Sequence, residues 1–362
     1  MKKAFVVTAA LVLLCLGALA QATVIATVPV GDPGNAGELS GVGAGGFGPD
    51  RICGSVGYTY NIGKYEVTAG QYTDFLNKVA ADDIYGLYNP EMWTNTYGCR
   101  IQRSGSPGSY TYSVAADWAN RPVTSVSYWD AVRFANWLHN GQPTGLQDAS
   151  TTEDGAYAIS GYNGDDGRTI QRKAGWQWAV TSEDEWYKAA YYKGGTSNAY
   201  WDFPMQSSVP TVPSNDITSP DGGNNANFYQ SGYTLSTPYM RTNAGEFENS
   251  ESHYGTFDQG GNVWEWTEAI VSEGSSYAYR GKRGGCYNID DYKLQASYRT
   301  WQTSEGNHVG FRVVAAIPEP SSLLILGTGL LALVGAIRRR RRPLLSAKFT
   351  TSPCLPVIDL TR

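Results

Sequence analysis

The sequence predicts an α+β fold built as one large, loop-rich domain. Three observations predict it. Three short segments carry a helical period, each behind its own start signal, and only scattered strand candidates lie between them. The chain of 362 residues holds 42 Gly, 25 Tyr and 11 Trp, a composition suited to turns and packed rings. It has no regular alternation of strand and helix, the pattern that marks a layered parallel sheet. No internal repeat is present.

The first helix is predicted over residues 68–79. Thr68 and Gln71 form a capping box, and Tyr72, Phe75, Leu76 and Val79 recur at i, i+3, i+4 and i+7. Residues 58–67, just before it, have the β-branched and aromatic mix of a strand. The second helix begins after Ser127, with Asp130 three residues on. Its buried stripe is Ala131, Phe134, Ala135 and Leu138, and His139-Asn140-Gly141 ends it. Ser182 and Glu185 open the third, which turns Trp186, Ala189 and Ala190 inward and stops at Lys193-Gly194. Further strands are expected at residues 277–283 and 310–314.

Charge narrows the partners. Only 17% of residues are charged and 13% are aromatic, so the chain is not disordered and can bury a sizeable core. Residues 23–316 hold 19 basic against 31 acidic residues, a net of −12. An acidic, aromatic body is the wrong electrostatic face for nucleic acid.

Both ends read as addresses. Residues 1–22 have the form of a secretory signal peptide: Lys2 and Lys3, an apolar run over 4–19, then Ala18-Leu19-Ala20 at cleavage spacing. Cys15 sits inside the run with no small residue before it, which argues against a lipoprotein signal. At the other end, Pro318-Glu319-Pro320 precedes the mostly apolar residues 321–337 and the run Arg338 to Arg342. Seventeen residues are at the short end of a transmembrane helix, and the arginines would hold that end on the cytoplasmic side. The layout over 317–342 resembles the PEP-CTERM sorting signal of bacterial exported proteins. That resemblance implies recognition and cleavage at Pro318, Glu319 and Pro320 by an exosortase-type membrane enzyme, and residence at the cell envelope or extracellular surface. Residues 343–362 continue past the point where such signals usually end and read as an unstructured tail.

An exported body changes how cysteine is read. Outside the two ends only Cys53, Cys99 and Cys286 remain. Three is odd, so at most one intramolecular disulfide forms. Cys53–Cys99 is the expected pair with Cys286 left free, and sequence leaves the other pairings open.

A series of motifs then runs through residues 26–315. They are Gly63-Lys64-Tyr65-Glu66-Val67-Thr68; Pro122-Val123-Thr124-Ser125-Val126-Ser127-Tyr128-Trp129-Asp130-Ala131; Thr181-Ser182-Glu183-Asp184-Glu185-Trp186; Gly261-Asn262-Val263-Trp264-Glu265-Trp266; Arg283-Gly284-Gly285; and Gly310-Phe311-Arg312. In this order and spacing they resemble the formylglycine-generating enzyme family, the sulfatase-modifying factors. The resemblance implies a variant of the C-type-lectin-like fold, stabilised by calcium in the enzymes. It also implies an activity: oxidation of a sulfatase cysteine to formylglycine by two active-site cysteines that bind copper(I). Those cysteines lie just after Arg-Gly-Gly, five residues apart. In this sequence the two positions are Ile289 and Leu294. Hydrocarbon can neither ionise nor ligate a soft metal ion, so no copper site is expected. Cys286, three residues before the first position, stands where the family usually has serine, and one thiolate cannot replace two.

The resemblance also implies calcium. One set transfers to the side chains of Asp258 and Glu265 with the carbonyls of Gly261 and Val263, a hard all-oxygen donor set. A second transfers to Asn227, Phe228 and Tyr233, with Ser231 where the family has its aspartate. Losing that charge predicts a weak or empty site.

The remaining features are expected to be structural. His139, His253 and His308 lack metal-ligand spacing and read as cap, loop and surface residues. Gly-rich residues 41–48 read as a loop, and Asp290-Asp291 as a solvated turn. Most of the Trp and Tyr residues fill the core, although they could instead form a carbohydrate platform. The function expected is therefore a non-catalytic binding or structural module at the envelope. Its partner would be a glycan, an extracellular polymer or another surface protein. The alternatives are an oxidoreductase with an altered site, or a partner subunit for a competent paralogue.

Overall fold

In a computed structural model of the chain, the described residues are 22–196, 199–303 and 305–317. All of them fall in one compact unit. The signal segment up to residue 21, Pro318-Glu319-Pro320, the apolar run, the arginines and the tail lie outside the described residues. Among the described residues no helix is long and apolar enough to cross a membrane.

The three predicted helices form behind their predicted caps. They are α1 (Ala69–Val79), α3 (Tyr128–His139) and α4 (Glu183–Tyr191), and a single turn, α2 (Glu91–Thr94), lies between the first two. Thr68, Ser127 and Ser182 each accept from the N3 amide, and the N3 side chain returns to the cap amide in every case. Both halves of a capping box lie within four residues, so no tertiary contact is needed to specify it.

Two four-stranded sheets frame the helices. The first has the order β1-β4-β12-β7: Thr27–Val30, Tyr60–Gly63, Val313–Ala316 and Trp178–Val180, all antiparallel. The second has the order β10-β9-β8-β11: Thr300–Trp301, Ala278–Arg283, Trp264–Glu273 and Val309–Gly310. Here β11 runs parallel to β8 and the other pairs are antiparallel. Two small ribbons, β2 with β3 (Glu38–Ser40, Arg51–Cys53) and β5 with β6 (Ile101–Ser104, Thr111–Val114), complete the strands.

The strands differ from the sequence reading in three places. Residues 58–67 yield only β4, because beyond Gly63 the chain leaves the ladder: Val67 donates to Phe311 O and accepts from the amide of Val123. Residues 310–314 break into β11 and β12, which belong to different sheets. Between them Phe311 and Arg312 cross the core fully buried. The ten-residue strand β8 has no counterpart among the strands expected at 58–67, 277–283 and 310–314. It carries register shifts between Trp266 and Ile270 and between Ile270 and Ser272, which blur the two-residue period.

The main core lies where α1 and α3 meet the first sheet. Phe75 packs on Trp137 at 5.2 Å and on Phe134 at 5.3 Å, and Phe134 packs edge-on to Phe311 at 5.4 Å. The aromatic composition is thus mostly core, as expected. The anticipated Cys53–Cys99 disulfide does not form. Cys53, Cys99 and Cys286 are buried free thiols. Cys53 belongs to a satellite cluster with Trp186 and Tyr187, whereas Cys99 is in the main core. Each sulfur has its own polar neighbour: Arg283 at 3.3 Å from Cys53 and the Thr124 carbonyl at 3.6 Å from Cys99.

Candidate functional site

The two positions that carry cysteine in the formylglycine-generating enzymes come together, as hydrocarbon. Gly285 has φ +82°. A Cβ placed there would lie 2.7 Å from Leu294 Cδ1 and 2.9 Å from Ile289 Cδ1. The two side chains therefore meet over Gly285. Leu294 ends a 3₁₀ turn (Asp291–Leu294) and is fully buried with Phe203, Met205 and Phe228, while Ile289 packs against the same cluster.

An ion-pair hub anchors this floor. Arg283, at the end of β9, donates to Glu183 at the start of α4 at 2.9 Å, and Arg299 donates to the same carboxylate at 2.8 and 2.9 Å. Arg51 reaches it at 3.0 Å. Burial opposes ionisation of Glu183, but the three guanidinium groups outweigh it and hold the carboxyl down to about 2. Arg283 also donates to the carbonyls of Ala296 and Tyr298, fixing the segment after the turn.

Above the floor opens a cavity of about 320 Å³, lined by Trp264, Lys282, Ile289, Lys293, Tyr298 and His308 among others. Lys282 Nζ donates to Gln302 Oε1 at 2.5 Å and sits 4.8 Å from the Trp264 ring centroid. Burial, with help from Lys293, pushes this ammonium down to about 8. Burial also pushes His308 down to about 4, with Lys282 and Arg241 adding to the shift, so its imidazole is neutral at pH 7. A second cavity of about 300 Å³ adjoins the first, sharing Lys293 and Tyr298 and adding Gly45, Gly46, Phe47 and Tyr292.

The site holds no activated thiol. Cys286 is fully buried, and its Sγ–H donates to Asn288 Oδ1 at 3.0 Å. Burial pushes its thiol up to about 12, so it is not a thiolate at neutral pH. Copper(I) needs two soft ligands, and Ile289 and Leu294 supply none, so these residues do not fit the ion.

The first calcium set is engaged in another way. Both oxygens of Glu265 are taken by Arg312, at 2.7 and 2.8 Å, and Oε2 also accepts from Trp186 Nε1 at 2.7 Å. Asp258 Oδ2 accepts from the Gly245 amide at 2.7 Å. Beside them Glu66 is buried, with Oε2 lacking any hydrogen-bond partner. Three carboxylates thus share one guanidinium. Burial first, and then their mutual repulsion, pushes Glu66 well above the usual carboxylate range and Asp258 up to about 6. Arg312 thus neutralises much of the charge that Glu265 would offer a cation held with Asp258, Gly261 and Val263, while Glu265 Oε1 keeps a lone pair beyond its single bond to Arg312. Among the described residues no three His, Cys, Asp or Glu side chains converge to hold a metal ion.

At the second position, Asn227 Nδ2 donates to Met240 O and Asn262 Oδ1, leaving its own Oδ1 buried and unpaired. That oxygen is the kind a cation would satisfy. The Phe228 carbonyl accepts from Asn215 and Thr234, Tyr233 is exposed, and no carboxylate stands at Ser231. A neutral set of this kind holds calcium weakly at best.

Other sequence features fall where structure needs them. In the Gly-rich loop, a Cβ on Gly46 would collide with the Ser297 carbonyl, so that glycine serves close packing. Asp291 Oδ1 accepts from the Tyr292 amide, and Asp290 is exposed, as expected of a solvated turn. His139 Nδ1 accepts from the Gln177 amide, and His253 is exposed. His308, expected at the surface, instead lines the cleft. Lys282, Lys293 and Phe47 also escaped the sequence reading. Of these, only Lys282 lies in an element the sequence predicts, the strand over 277–283.

Comparisons with known proteins identify the family through its sequence model. The sulfatase-modifying factor enzyme 1-like domain matches residues 55–317, and the PEP-CTERM protein-sorting motif matches residues 316–342. No curated protein matches the chain in sequence. Among solved structures, it is similar to CarF at 20% identity and a TM-score of 0.47, over 82% of this chain and 100% of that one. It is also similar to Treponema denticola variable protein 1 (17%, TM-score 0.46, 80% and 95%) and to PvdO from Pseudomonas aeruginosa (19%, TM-score 0.41, 80% and 94%). With a family match across most of its length, this chain belongs to the sulfatase-modifying factor enzyme 1-like family, in the formylglycine-generating-enzyme variant of the C-type-lectin-like fold, and carries a PEP-CTERM sorting motif.

Proposed function

We propose that this protein is an exported binding module of the cell envelope that keeps the family scaffold without its oxidase chemistry. One observation carries the reading: Ile289 and Leu294 occupy the two cysteine positions and close over Gly285 as an apolar floor. Cys286 does not compensate, since it is buried, protonated and hydrogen-bonded to Asn288. Family membership alone does not decide activity; the site does.

The PEP-CTERM motif implies processing by an exosortase-type enzyme. In this reading residues 1–22 direct export, the apolar run 321–337 holds the chain in the membrane, and cleavage at Pro318-Glu319-Pro320 releases or transfers the domain to the envelope. The domain then presents its cleft to a glycan, an extracellular polymer or a surface protein.

Two measurements test this. Purified protein incubated with a Cys-containing sulfatase peptide, copper and dioxygen is expected to leave the peptide mass unchanged; a mass shift on that cysteine would overturn the proposal. In a pull-down from envelope fractions, capture of at least one component through the cleft is expected. The absence of any binding would remove the module reading.

A further inference from the structure

The two adjoining cavities form one groove whose charge is opposite to that of the body around it. Lys282 and Lys293 both face it. Lys282 contacts Gln302 and the Trp264 ring, and Lys293 lies 5.4 Å from the Tyr292 ring. Among the described residues neither forms an ion pair, and no Asp or Glu lines either cavity. Yet residues 23–316 carry a net −12. Two unpaired ammonium groups, one of them largely buried, point to an anionic ligand.

The walls narrow the class. Phe47 and Tyr298 stack at 5.2 Å with 18° between their planes, and Trp264 adjoins Tyr298 at 5.9 Å. Phe47 is 44% exposed and Tyr292 48% exposed, in a groove the protein leaves uncovered. Open aromatic faces suit the C–H faces of sugar rings, and the two cavities sharing Lys293 and Tyr298 suit consecutive units of a chain. Two cations are too few for a ligand with a phosphate on every unit, which disfavours a nucleic-acid strand. Without a carboxylate pair the groove lacks the usual acid and base of glycoside hydrolysis.

We infer that this groove holds a uronate-bearing polysaccharide, with Lys282 and Lys293 pairing its carboxylates and the accessible rings of Phe47, Tyr292 and Tyr298 stacking on its sugars. The inference rests on the binding-module reading and names its ligand class.

Isothermal titration of the full chain in mild detergent tests it. The probes are a polygalacturonate oligosaccharide, a maltooligosaccharide of equal length, a polyglutamate peptide and a deoxythymidine oligonucleotide. Polygalacturonate is expected to bind best and to weaken as salt rises. Lys293→Gln should weaken it about tenfold and Phe47→Ala about fivefold, while Lys78→Gln on α1 leaves it unchanged. Both test positions are surface-accessible, so the result does not depend on a Lys282 variant folding. Equal or tighter binding of any other probe, no binding of polygalacturonate, or indifference to both variants would overturn the inference. Capture of a neutral glucan or a protein would leave the module reading standing, whereas oxidation of a cysteine peptide would remove that reading instead.

Discussion

Gly285→Ala probes the floor of the cleft directly. Two separate costs can be worked from the structure. At φ +82° any L-residue with a Cβ pays the left-handed penalty, about 1–2 kcal/mol. The new methyl would also lie 2.7 Å from Leu294 Cδ1 and 2.9 Å from Ile289 Cδ1, far inside the ~3.5–4.0 Å optimum for carbon pairs. Overpacking of that kind costs about 1–3 kcal/mol. Together they predict a loss of about 2–5 kcal/mol, read as a lowered urea midpoint at unchanged slope. The two parts separate by design. Ile289→Ala in the Gly285→Ala background relieves one overlap but leaves φ untouched, so the pair should lose less than the two single losses added. A Gly285→Ala loss below about 1 kcal/mol, or strict additivity with Ile289→Ala, would mean that the side chains do not close over Gly285.

Three further outcomes follow from other parts of the molecule. Arg312→Met leaves the Glu265 carboxylate buried without its fork and removes the donors to Gly63 O and Phe257 O, so equilibrium unfolding should show a loss of about 3–5 kcal/mol. Cys286 should resist a thiol-specific disulfide reagent at pH 8 and react only once denaturant opens the core, because burial pushes its thiol up to about 12; rapid labelling of the native protein at that position would contradict the site geometry. Asp258 is pushed up to about 6, chiefly by burial, so the folded state binds more protons than the unfolded one between roughly pH 4 and 6. Stability contributed there is present at low pH and falls as pH rises through that window. Asp258→Asn should flatten this slope in urea midpoints measured from pH 4 to 7, and an unchanged slope would count against it.

What was legible in the sequence was what is local. Thr68 with Gln71, Ser127 with Asp130 and Ser182 with Glu185 specify their helix starts within four residues, and all three formed. The ordered motifs identified the family because each sits at a junction the fold requires: Arg283 reaches Glu183, and Arg312 reaches Glu265. The cleft was legible only at Ile289 and Leu294. Its walls are assembled from distant segments, with Phe47 stacking on Tyr298 and His308 placed near Lys282. No spacing rule links residues about 250 positions apart. The strand split at Phe311-Arg312 was hidden for a related reason: a run of apolar residues looks continuous until a buried guanidinium between them is seen to need a carboxylate from another strand.

The strongest test of the binding-module proposal is to place cysteine at both family positions. Ile289 and Leu294 already converge over Gly285, so cysteine at both positions would place two sulfurs where the two hydrocarbon side chains now meet. Shortening a fully buried leucine and a partly buried isoleucine costs about 1–3 kcal/mol, which a domain of this size can sustain. The Ile289→Cys/Leu294→Cys variant, made together with Cys286→Ser so that position 289 has no second thiol three residues away, is therefore expected to fold and to retain one equivalent of copper(I) against a competing chelator, while the parent chain and each single variant on the same Cys286→Ser background retain none. Soft thiolate pairs bind that ion and single thiols or methyl groups do not, so the expected contrast is all or nothing. If the parent already holds copper(I), another donor set serves this cleft and the binding-module reading loses its footing. If the folded double variant holds none, the obstacle is the shape or charge of the cleft around Lys282 and Lys293, and hydrocarbon at 289 and 294 would be a consequence of the altered role, not its cause.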